Sequence, residues 1–435
     1  VVTSAKTGEV LALVSYPSYD NNRISDSTYF AQLNADQSLP LRNNATQTLK
    51  APGSTFKPIT AIAGLEEGAI TLSDMINCTG IYEEVSNPIR CWKYPGFHGP
   101  LNVVGGIENS CNYFFSEVAH RLSTETDGSY KPEKGLETLK KYATMFGLDR
   151  TSGIEISEAT PSISDTDPER SSMGQGTHQF ASVQLARYVT ALANRGTVYD
   201  LSLIDKETDS QGNLVKDYSP AVASTLDFQT STWDAVQQGM RQVVTNSSTK
   251  RVFDGLDVHV AGKTGTAQES QKRGNHAFFI SFAPYENPEI SVTLDIEVFE
   301  QEYREAMAAA GNMENSLVHY MAALEQYHGV FLPKSQDEEW VREYSAHYQK
   351  LFFNCMKEAY NIFSQKKDLG FMEQLCRRSI EMQPQSEELY QLYIQVLMQQ
   401  NQHKQALEVY ASYETMLYKE SGQKPSESLQ TLYRE

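Results

Sequence analysis

Long apolar runs are missing from this sequence. The densest one, residues 277–284, is interrupted by Ser281 and is far shorter than the roughly 20 residues of a membrane-spanning helix. No secretory signal stands at the start, because Val1 already begins a strand-like pattern, so the chain reads as a piece of a longer protein. Positive charge is also in deficit: the formal net charge of -18 argues against a nucleic-acid-binding surface.

Cysteine is scarce, and five cysteines are too few for a disulfide framework. Cys78 and Cys91 could hold a zinc ion. Asp74 and His98 are near enough in sequence to complete such a site, although zinc sites normally show closer pairs such as Cys-x-x-Cys. We therefore expect Cys78 and Cys91 to be a disulfide or two ordinary thiols, and Cys111 to be a small buried residue. No metal and no cofactor is predicted.

The order of predicted elements favours an α+β fold in the first two thirds of the chain. Two strand-like runs surround the turn Lys6-Thr-Gly8. Helices are predicted at 101–122, 133–147 and 179–195, and strands at 257–268, 276–283 and 289–296. Because strands occur at both ends, we expect them to join in one antiparallel sheet flanked by the helices.

The sequence changes character near residue 297. From there on it is almost entirely helix-forming, and short connectors such as Gln400-Asn-Gln402 separate amphipathic stretches. This rhythm is typical of stacked helix pairs in a tetratricopeptide-like array, and a plain amphipathic bundle is the alternative. We predict two domains, 1–297 and an all-α domain at 298–435.

The first of three short motifs is Ser54-Thr-Phe-Lys57. Pro52-Gly-Ser54 signals a helix start, so Lys57 lies one turn beyond Ser54 and on the same face. A serine hydroxyl needs a base to become a nucleophile, and a buried lysine crowded by positive charge can lose its proton near neutral pH. We predict Ser54 as the nucleophile and Lys57 as its base; a capped helix with a surface lysine is the alternative.

The second motif is Ser110-Cys-Asn112. In an extended turn these two side chains point the same way, so a hydroxyl and an amide could face one cleft and relay a proton or hold a substrate amide. We expect a short loop before a helix that begins at Tyr113. Taken alone, the motif is equally consistent with a helix cap.

The third motif, Lys263-Thr-Gly-Thr266, ends a strand in which we expect Val258 and Val260 to face inward. Lys263, with the hydroxyl of Thr264 or Thr266, could bind a carboxylate and could also supply the positive charge near Lys57. Gly265 leaves room for a ligand backbone along the strand edge. Each motif is weak alone, but all three in this order are a strong signal for an acylating serine enzyme.

These motifs and their surroundings resemble the transpeptidase domain of class B penicillin-binding proteins, most of all the elongation type, penicillin-binding protein 2. The resemblance covers residues 1–297. It also rests on the residues that surround the first motif in Ala51-Pro-Gly-Ser-Thr-Phe-Lys-Pro58 and on further stretches: Cys91-Trp92 with His98-Gly99, Phe146-Gly-Leu-Asp-Arg-Thr-Ser-Gly153 and Met173-Gly-Gln-Gly176.

The resemblance implies that Ser54 attacks the penultimate D-Ala carbonyl of a D-Ala-D-Ala stem peptide. A neighbouring stem then accepts the acyl group, which makes a peptidoglycan cross-link, and beta-lactams trap the acyl-enzyme. The backbone N–H groups of Ser54 and Thr266 would form the oxyanion hole. The family acts at the extracytoplasmic face of the cell membrane. The family's anchor, pedestal and final covering helix are not found in this sequence.

The second domain resembles the bacterial transcriptional activation domain, a helical module of cytoplasmic regulators. The resemblance rests on Tyr327-His-Gly-Val-Phe-Leu-Pro333, Glu339-Trp340 and Gly422-Gln-Lys-Pro-Ser426 with Leu432-Tyr433. No winged helix is present, so no DNA binding is implied, and a protein partner on the repeats is the remaining expectation. Because the two families work in different compartments, we interpret the chain as a chimera.

Two other functions use the same serine. A beta-lactamase would need a base for deacylation, and a beta-lactam sensor would be acylated without turnover. The long spacing between Asn112 and Lys263 leaves room for an extra subdomain and favours a transpeptidase. A non-enzymatic scaffold that uses only the helical repeats is the third alternative.

Overall fold

The computed structural model describes residues 1–15, 18–36, 39–246, 250–253, 255–267, 276–297, 311–327 and 339–434, with single positions at 303, 306, 307, 309 and 329. The chain separates into two compact units, Val1–Glu269 with His276–Ile296 in one and Glu297–Glu435 in the other. Within the described residues, every helix is too short or too polar to cross a lipid bilayer.

The strands of the first unit are mostly short. In chain order they are β1 Val2–Ser4, β2 Val10–Ala12, β3 Ile76–Cys78, β4 Ile81–Tyr82, β5 Ile89–Arg90, β6 Gly99–Leu101, β7 Thr197–Asp200, β8 Lys206–Thr208, β9 Leu214–Asp217, β10 Ala221–Thr225, β11 Ala261–Ala267, β12 His276–Ala283 and β13 Ile290–Glu297.

Ten helices lie between β2 and β11 in the described part of this unit. They are α1 Ser27–Ala35, α2 Asn44–Gln47, α3 Lys57–Glu66, α4 Val103–Glu108, α5 Asn112–Leu122, α6 Pro132–Met145, α7 Pro168–Ser171, α8 Ser182–Ala193, α9 Thr230–Asn246 and α10 Lys250–Phe253, with short 3-10 turns at Asn21–Arg23 and Gly53–Phe56.

The two ends of this unit meet in one five-stranded sheet with the order β11-β12-β13-β1-β2. Strand β1 pairs antiparallel with β13, placing Val2 opposite Val292, and β11 pairs antiparallel with β12, placing Lys263 opposite Ile280. The expected α+β fold is therefore confirmed. Since β11 is last in the order, its outer edge has no strand partner among the described residues.

The core of the unit lies between this sheet and the helices. Every residue of α8 is buried, including the polar Gln184 and Arg187. Thr190 of α8 bonds the hydroxyls of Thr3 on β1 and Ser291 on β13, at 2.7 and 3.0 Å, so polar groups on the sheet are paired where α8 packs on it.

The predicted helix at 101–122 is two helices. Residues 109–111 interrupt it: Ser110 has a left-handed backbone (φ 48°), and the sulfur of Cys111 accepts the N–H of Phe114 at 3.4 Å and so caps α5. The helix begins at Asn112, one residue before the predicted start at Tyr113. This break places the second motif in a tight turn.

The predicted strand at 257–268 begins only at Ala261, and the inward orientation predicted for Val258 is wrong. Val258 is 46% exposed, whereas Val260 is buried as expected. The partner strand β12 ends at Ala283, and Pro284 has no N–H with which to extend the ladder. Residues 257–260 are therefore not part of the strand, although the N–H of Tyr285 still donates to the carbonyl of His259 at 2.7 Å.

The described part of the second unit is helical, as expected. Its helices are Met313–Gln326, Glu339–Gln365, Leu369–Met382, Glu387–Gln399, His403–Ser421 and Glu427–Arg434. The first five pack in consecutive pairs around an apolar core, and the last packs on Glu387–Gln399. Apolar residues at helical spacing in two of these helices are buried or half-buried: Leu389, Leu392, Tyr393, Val396, Leu397, Ala406, Tyr410, Tyr413 and Leu417. Residues 328 and 330–333, which support the second resemblance, lie outside the described residues.

Candidate active site

Ser54 lies in the 3-10 turn that leads into α3, so the α-helix itself begins at Lys57 and not at Ser54. Residues 51–64 are all buried except Ser54, which is half-buried. Its side chain makes no hydrogen bond to any described residue. The turn thus exposes one hydroxyl from an otherwise buried segment, as a nucleophile requires.

A loop far away in sequence holds this turn. The N–H of Gly53 donates to the carbonyl of Gly174 at 3.0 Å, and a Cβ on Gly174 would lie 2.0 Å from the carbonyl oxygen of Gly53. The Tyr188 hydroxyl donates to the carbonyl of Thr55 at 3.0 Å. Only glycine fits position 174, because it also has a φ of 74°. Sequence reasoning did not find this support, although Gly174 stands in the quoted Met173-Gly-Gln-Gly176 stretch.

Lys57 is completely buried, and its ammonium group faces the second motif. Nζ lies 2.7 Å from the carbonyl oxygen of Ser110, 3.2 Å from the Ser110 hydroxyl and 2.8 Å from Oδ1 of Asn112. Among the described residues, no carboxylate pairs with it. Burial without a counter-ion lowers the pKa of Lys57 to about 8, against a small opposing effect of the nearby thiols of Cys111 and Cys91.

Lys263 approaches the same hydroxyl from the sheet. Its Nζ lies 2.8 Å from the Ser110 hydroxyl and 2.8 Å from the carbonyl of Thr264. Burial, and then the charge on Lys57, lowers the pKa of Lys263 well below its ordinary value. Two ammonium groups on one hydroxyl repel each other in a low-dielectric site, so the second proton is held weakly. Lys57 and Lys263 thus lie close to one hydroxyl, as the predicted crowding of positive charge requires.

The arrangement explains how Ser110 could relay a proton. A neutral Lys57 amine has two N–H donors and one lone pair. The two N–H groups can donate to the Ser110 carbonyl and to Oδ1 of Asn112, which can only accept. The lone pair is then free to accept a hydrogen bond from the Ser110 hydroxyl. The Ser110 hydroxyl could then donate to Lys57 while it accepts from Lys263. No hydrogen bond joins the side chains of Lys57 and Ser54, so the role of Lys57 toward Ser54 is a prediction.

Gly265 in β11 packs directly against the nucleophile's turn. A Cβ there would lie 2.6 Å from the carbonyl oxygen of Pro52 and 2.9 Å from the nitrogen of Thr55. The glycine therefore lets β11 approach the turn, a reason beyond the room for a ligand that the sequence suggested. The neighbouring Thr264 is exposed. Thr266 lies on β11 opposite Ala277, and its side chain lies outside the described residues.

Three cysteines and a histidine meet beside the second motif. The sulfurs of Cys78, Cys91 and Cys111 and a ring nitrogen of His98 all lie within 4.8 Å of one another. Asp74, the acidic residue that the sequence suggested, instead bonds Arg121 and Thr71. The three cysteines are free thiols rather than a disulfide, and Cys111 is buried as expected.

This donor set fits a zinc ion. Three thiolates and one imidazole in a tetrahedral arrangement are a common structural zinc site. The distances from Nδ1 of His98, 3.7 Å to the sulfur of Cys78 and 3.4 Å to that of Cys91, are compatible with ligands around one ion. Nε2 of His98 is buried without a partner among the described residues, so this histidine has no second hydrogen bond that would orient it.

Comparison with known proteins identifies both parts of the chain. The family model of the penicillin binding protein transpeptidase domain matches residues 1–325, and that of the bacterial transcriptional activator domain matches residues 294–435. The two ranges overlap, so the boundary at 297 stays a prediction.

Relatives and solved structures agree with this. Peptidoglycan D,D-transpeptidase MrdA of Escherichia coli is 30% identical over 336 residues, which cover 68% of this chain and 50% of the relative. The corresponding values for PbpA of Mycolicibacterium smegmatis are 30%, 68% and 61%. The chain thus spans about half the length of the first relative.

Penicillin-binding protein 2 of Pseudomonas aeruginosa, solved in complex with WCK 5153, matches with a TM-score of 0.59 and 27% identity over 75% of this chain and 71% of that one. Penicillin-binding protein A of Mycobacterium tuberculosis, solved as a ceftriaxone acyl-enzyme, shares the fold with a TM-score of 0.59 at 23% identity, over 68% of this chain and 67% of that one. The chain belongs to the penicillin-binding protein transpeptidase family and carries a helical module like the bacterial transcriptional activator domain.

Proposed function

We propose that the first domain is a peptidoglycan D,D-transpeptidase that cross-links stem peptides through an acyl-enzyme on Ser54 and that beta-lactams acylate at the same residue. One observation carries the proposal. The half-buried Ser54 lies in the turn before Lys57, and the buried Lys57 and Lys263 both contact the Ser110 hydroxyl. This arrangement provides a nucleophile, a base with a pKa near neutrality and a proton relay.

In the proposed mechanism, neutral Lys57 removes the proton of Ser54 as the oxygen attacks the carbonyl carbon of the penultimate D-Ala. The negative charge that develops on the carbonyl oxygen is stabilised by the backbone N–H groups of Ser54 and Thr266. The proton then passes through the Ser110 hydroxyl to the departing D-Ala nitrogen. Asn112 holds Lys57 and the substrate amide, and an amine of a second stem peptide completes the transfer.

Lys263, Thr264 and Thr266 would bind the terminal carboxylate of the stem peptide or of a beta-lactam. Lys263 uses two N–H groups on the Ser110 hydroxyl and the Thr264 carbonyl, which leaves a third donor when the amine is charged. An arriving carboxylate would stabilise that charge, so substrate binding and protonation of Lys263 are coupled.

Replacing Lys263 with alanine is expected to slow acylation by carboxylate-bearing penicillins about 10- to 100-fold, the effect of losing one charge-assisted hydrogen bond. The acylation rate is measured with benzylpenicillin and with its methyl ester, which lacks the free carboxylate. A change in the ratio of the two rates reports carboxylate binding, whereas loss of the contact with Ser110 slows both reactions. The wild type should prefer the acid and the variant should not. Lys206→Ala, an exposed lysine on β8, is the matched control. An unchanged acid preference in Lys263→Ala would place the carboxylate elsewhere.

We expect the acyl-enzyme to persist. Deacylation needs a base for water, and among the described residues no carboxylate pairs with Lys57 or Lys263. A chromogenic cephalosporin should therefore give one equivalent of product and then stop. Continuous turnover would make the protein a beta-lactamase. A stoichiometric burst with no cross-linking of stem peptides would instead support the sensor alternative.

We further propose that the domain boundary at 297 separates two independently folding parts, and that the helical module binds a protein partner. The two cores share no residue: the first extends from Ala5 to Phe282 and the second from Ala306 to Leu429. Membrane association at the extracytoplasmic face is inferred from the family alone.

Residues 298–435 expressed alone are expected to give a strongly helical circular dichroism spectrum and a cooperative melt, because helical repeats are stabilised mainly by their neighbours. The full chain supplies the reference spectrum. A disordered fragment would mean that the module depends on the enzyme domain and that the boundary is misplaced.

A further inference from the structure

A buried histidine lies outside the three motifs. His178 is 0% exposed, and both of its ring nitrogens have backbone partners. Nδ1 accepts the N–H of Ser164 at 3.1 Å, and Nε2 donates to the carbonyl of Ser171 at 3.1 Å. Since a backbone N–H can only donate and a carbonyl can only accept, the ring is neutral and carries its proton on Nε2. Burial supports this state, because it lowers the pKa of His178 to about 4.

The segment that this imidazole holds also supports the turn and the helix of the nucleophile. The carbonyl of Ser172, one residue beyond the carbonyl bonded to Nε2, accepts the hydroxyl of Thr60 on α3 at 2.8 Å. The carbonyl of Gly174 accepts the N–H of Gly53, the residue before Ser54, at 3.0 Å. A shift of residues 171–174 would therefore reach both the turn and α3.

The ring also packs against the turn itself. Its centroid lies 4.4 Å from that of Phe56, a buried residue two positions after Ser54, and 5.5 Å from that of Phe180. Aromatic rings at these separations attract each other beyond the effect of the area that they bury. The imidazole therefore supports the turn twice, directly through Phe56 and indirectly through the backbone of residues 171–174.

We propose that His178 is a positioning residue for the acylation of Ser54, in which the neutral imidazole holds residues 171–174 against the nucleophile's turn. The proposal deepens the proposed function and rests on it. A phenylalanine at position 178 could keep the ring packing, but it would leave the N–H of Ser164 and the carbonyl of Ser171 buried without a partner. Because buried polar groups without a partner are unfavourable, the segment would move to pair them elsewhere, and the Ser54 oxygen would move with it.

The expected effect is on the acylation step and not on binding. Neither the hydrogen bonds nor the ring contacts of His178 involve Lys263 or Thr264, the proposed carboxylate ligands. The dissociation constant of the first, noncovalent penicillin complex should therefore be unchanged when His178 is replaced. The limiting acylation rate should fall about 10- to 100-fold, because a displacement near 1 Å costs this much in a positioned site.

The test follows acylation of the full chain by a fluorescent penicillin over a concentration series, which separates the dissociation constant from the limiting rate. His178→Phe should show the lower limiting rate at a temperature where its circular dichroism is that of the folded wild type. His178→Gln keeps a donor and an acceptor, so its rate should lie between those of His178→Phe and the wild type, and it carries the test if His178→Phe does not fold. His259→Gln, at an exposed histidine of the same unit, is the matched control and should react like the wild type.

Hydrogen exchange supplies a readout that does not depend on activity. The Gly53 amide, which donates to Gly174, should exchange faster in the His178 variants, and by a larger factor than the amides of α9, which serve as the reference for global stability. A wild-type limiting rate in a folded His178 variant, a change confined to the dissociation constant, or equal acceleration at Gly53 and in α9 would overturn the proposal. If the wild type is not acylated at all, the proposed function fails, and the exchange measurement alone decides whether His178 positions the turn.

Discussion

Replacing Ser54 with alanine is expected to abolish acylation by penicillin. Ser54 is the only residue of the stretch 51–64 that is not fully buried, and the hydroxyl of the neighbouring Thr55 already donates to the carbonyl of Pro52 at 2.8 Å. Because the Ser54 side chain makes no hydrogen bond to a described residue, its removal should change the free energy of unfolding by less than about 0.5 kcal/mol. A fluorescent penicillin on a denaturing gel and a thermal melt measure the two effects.

Ser73→Ala, an exposed serine in the same tryptic peptide, is the matched control and should label like the wild type. The combination of a normal melt with no label identifies Ser54 as the acylated residue. Equal labelling of Ser54→Ala and the wild type would remove Ser54 from the mechanism and leave the turn with no chemical role.

Replacing Lys57 is expected to slow acylation by about 100- to 10,000-fold, the usual contribution of a positioned general base. Lys57→Arg is the sharper variant, because arginine keeps the charge but does not give up its proton at neutral pH. Lys57→Ala also deprives the Ser110 carbonyl and Oδ1 of Asn112 of their donor, so its melting temperature must be measured alongside the rate.

The pH profile separates a base from a structural lysine. Only neutral Lys57 can accept the proton of Ser54, so with a pKa of about 8 the wild-type acylation rate should rise about tenfold per pH unit below pH 8 and level off above it. The residual rate of Lys57→Arg should not show this inflection. A wild-type rate that is flat between pH 6 and 9, or an inflection that survives in Lys57→Arg, would assign the base role to another group.

The local features of the site were accessible from the sequence. The spacing of Ser54 and Lys57 predicts one turn of helix, and the strands at both ends of the domain predict one antiparallel sheet. What the sequence could not supply are contacts between segments far apart. Lys263 contacts the Ser110 hydroxyl, and the carbonyl of Gly174 accepts the N–H of Gly53 in the Ser54 turn. No local periodicity in the sequence predicts either contact.

Backbone detail was also beyond the sequence. The second motif predicted a short loop before the helix near Tyr113, but the left-handed conformation of Ser110, which divides the predicted helix 101–122 in two, was not predicted. The group of three cysteines and His98 was also only partly predictable. Proximity in sequence suggested Asp74 as a fourth ligand, but Asp74 bonds Arg121 and Thr71, and the sulfur of Cys111 is the fourth ligand atom instead. Only the tertiary fold shows which of the candidate ligand residues, Asp74 or Cys111, lies beside Cys78, Cys91 and His98.

Mass spectrometry of the penicillin-treated protein tests the central claim most directly. Trypsin releases residues 51–90 as one peptide, since cleavage is blocked at Lys57 by Pro58. The account predicts that the intact chain gains one penicillin mass and that fragmentation of this peptide places it on Ser54. An unmodified chain, or a mass on any other residue, would contradict the account.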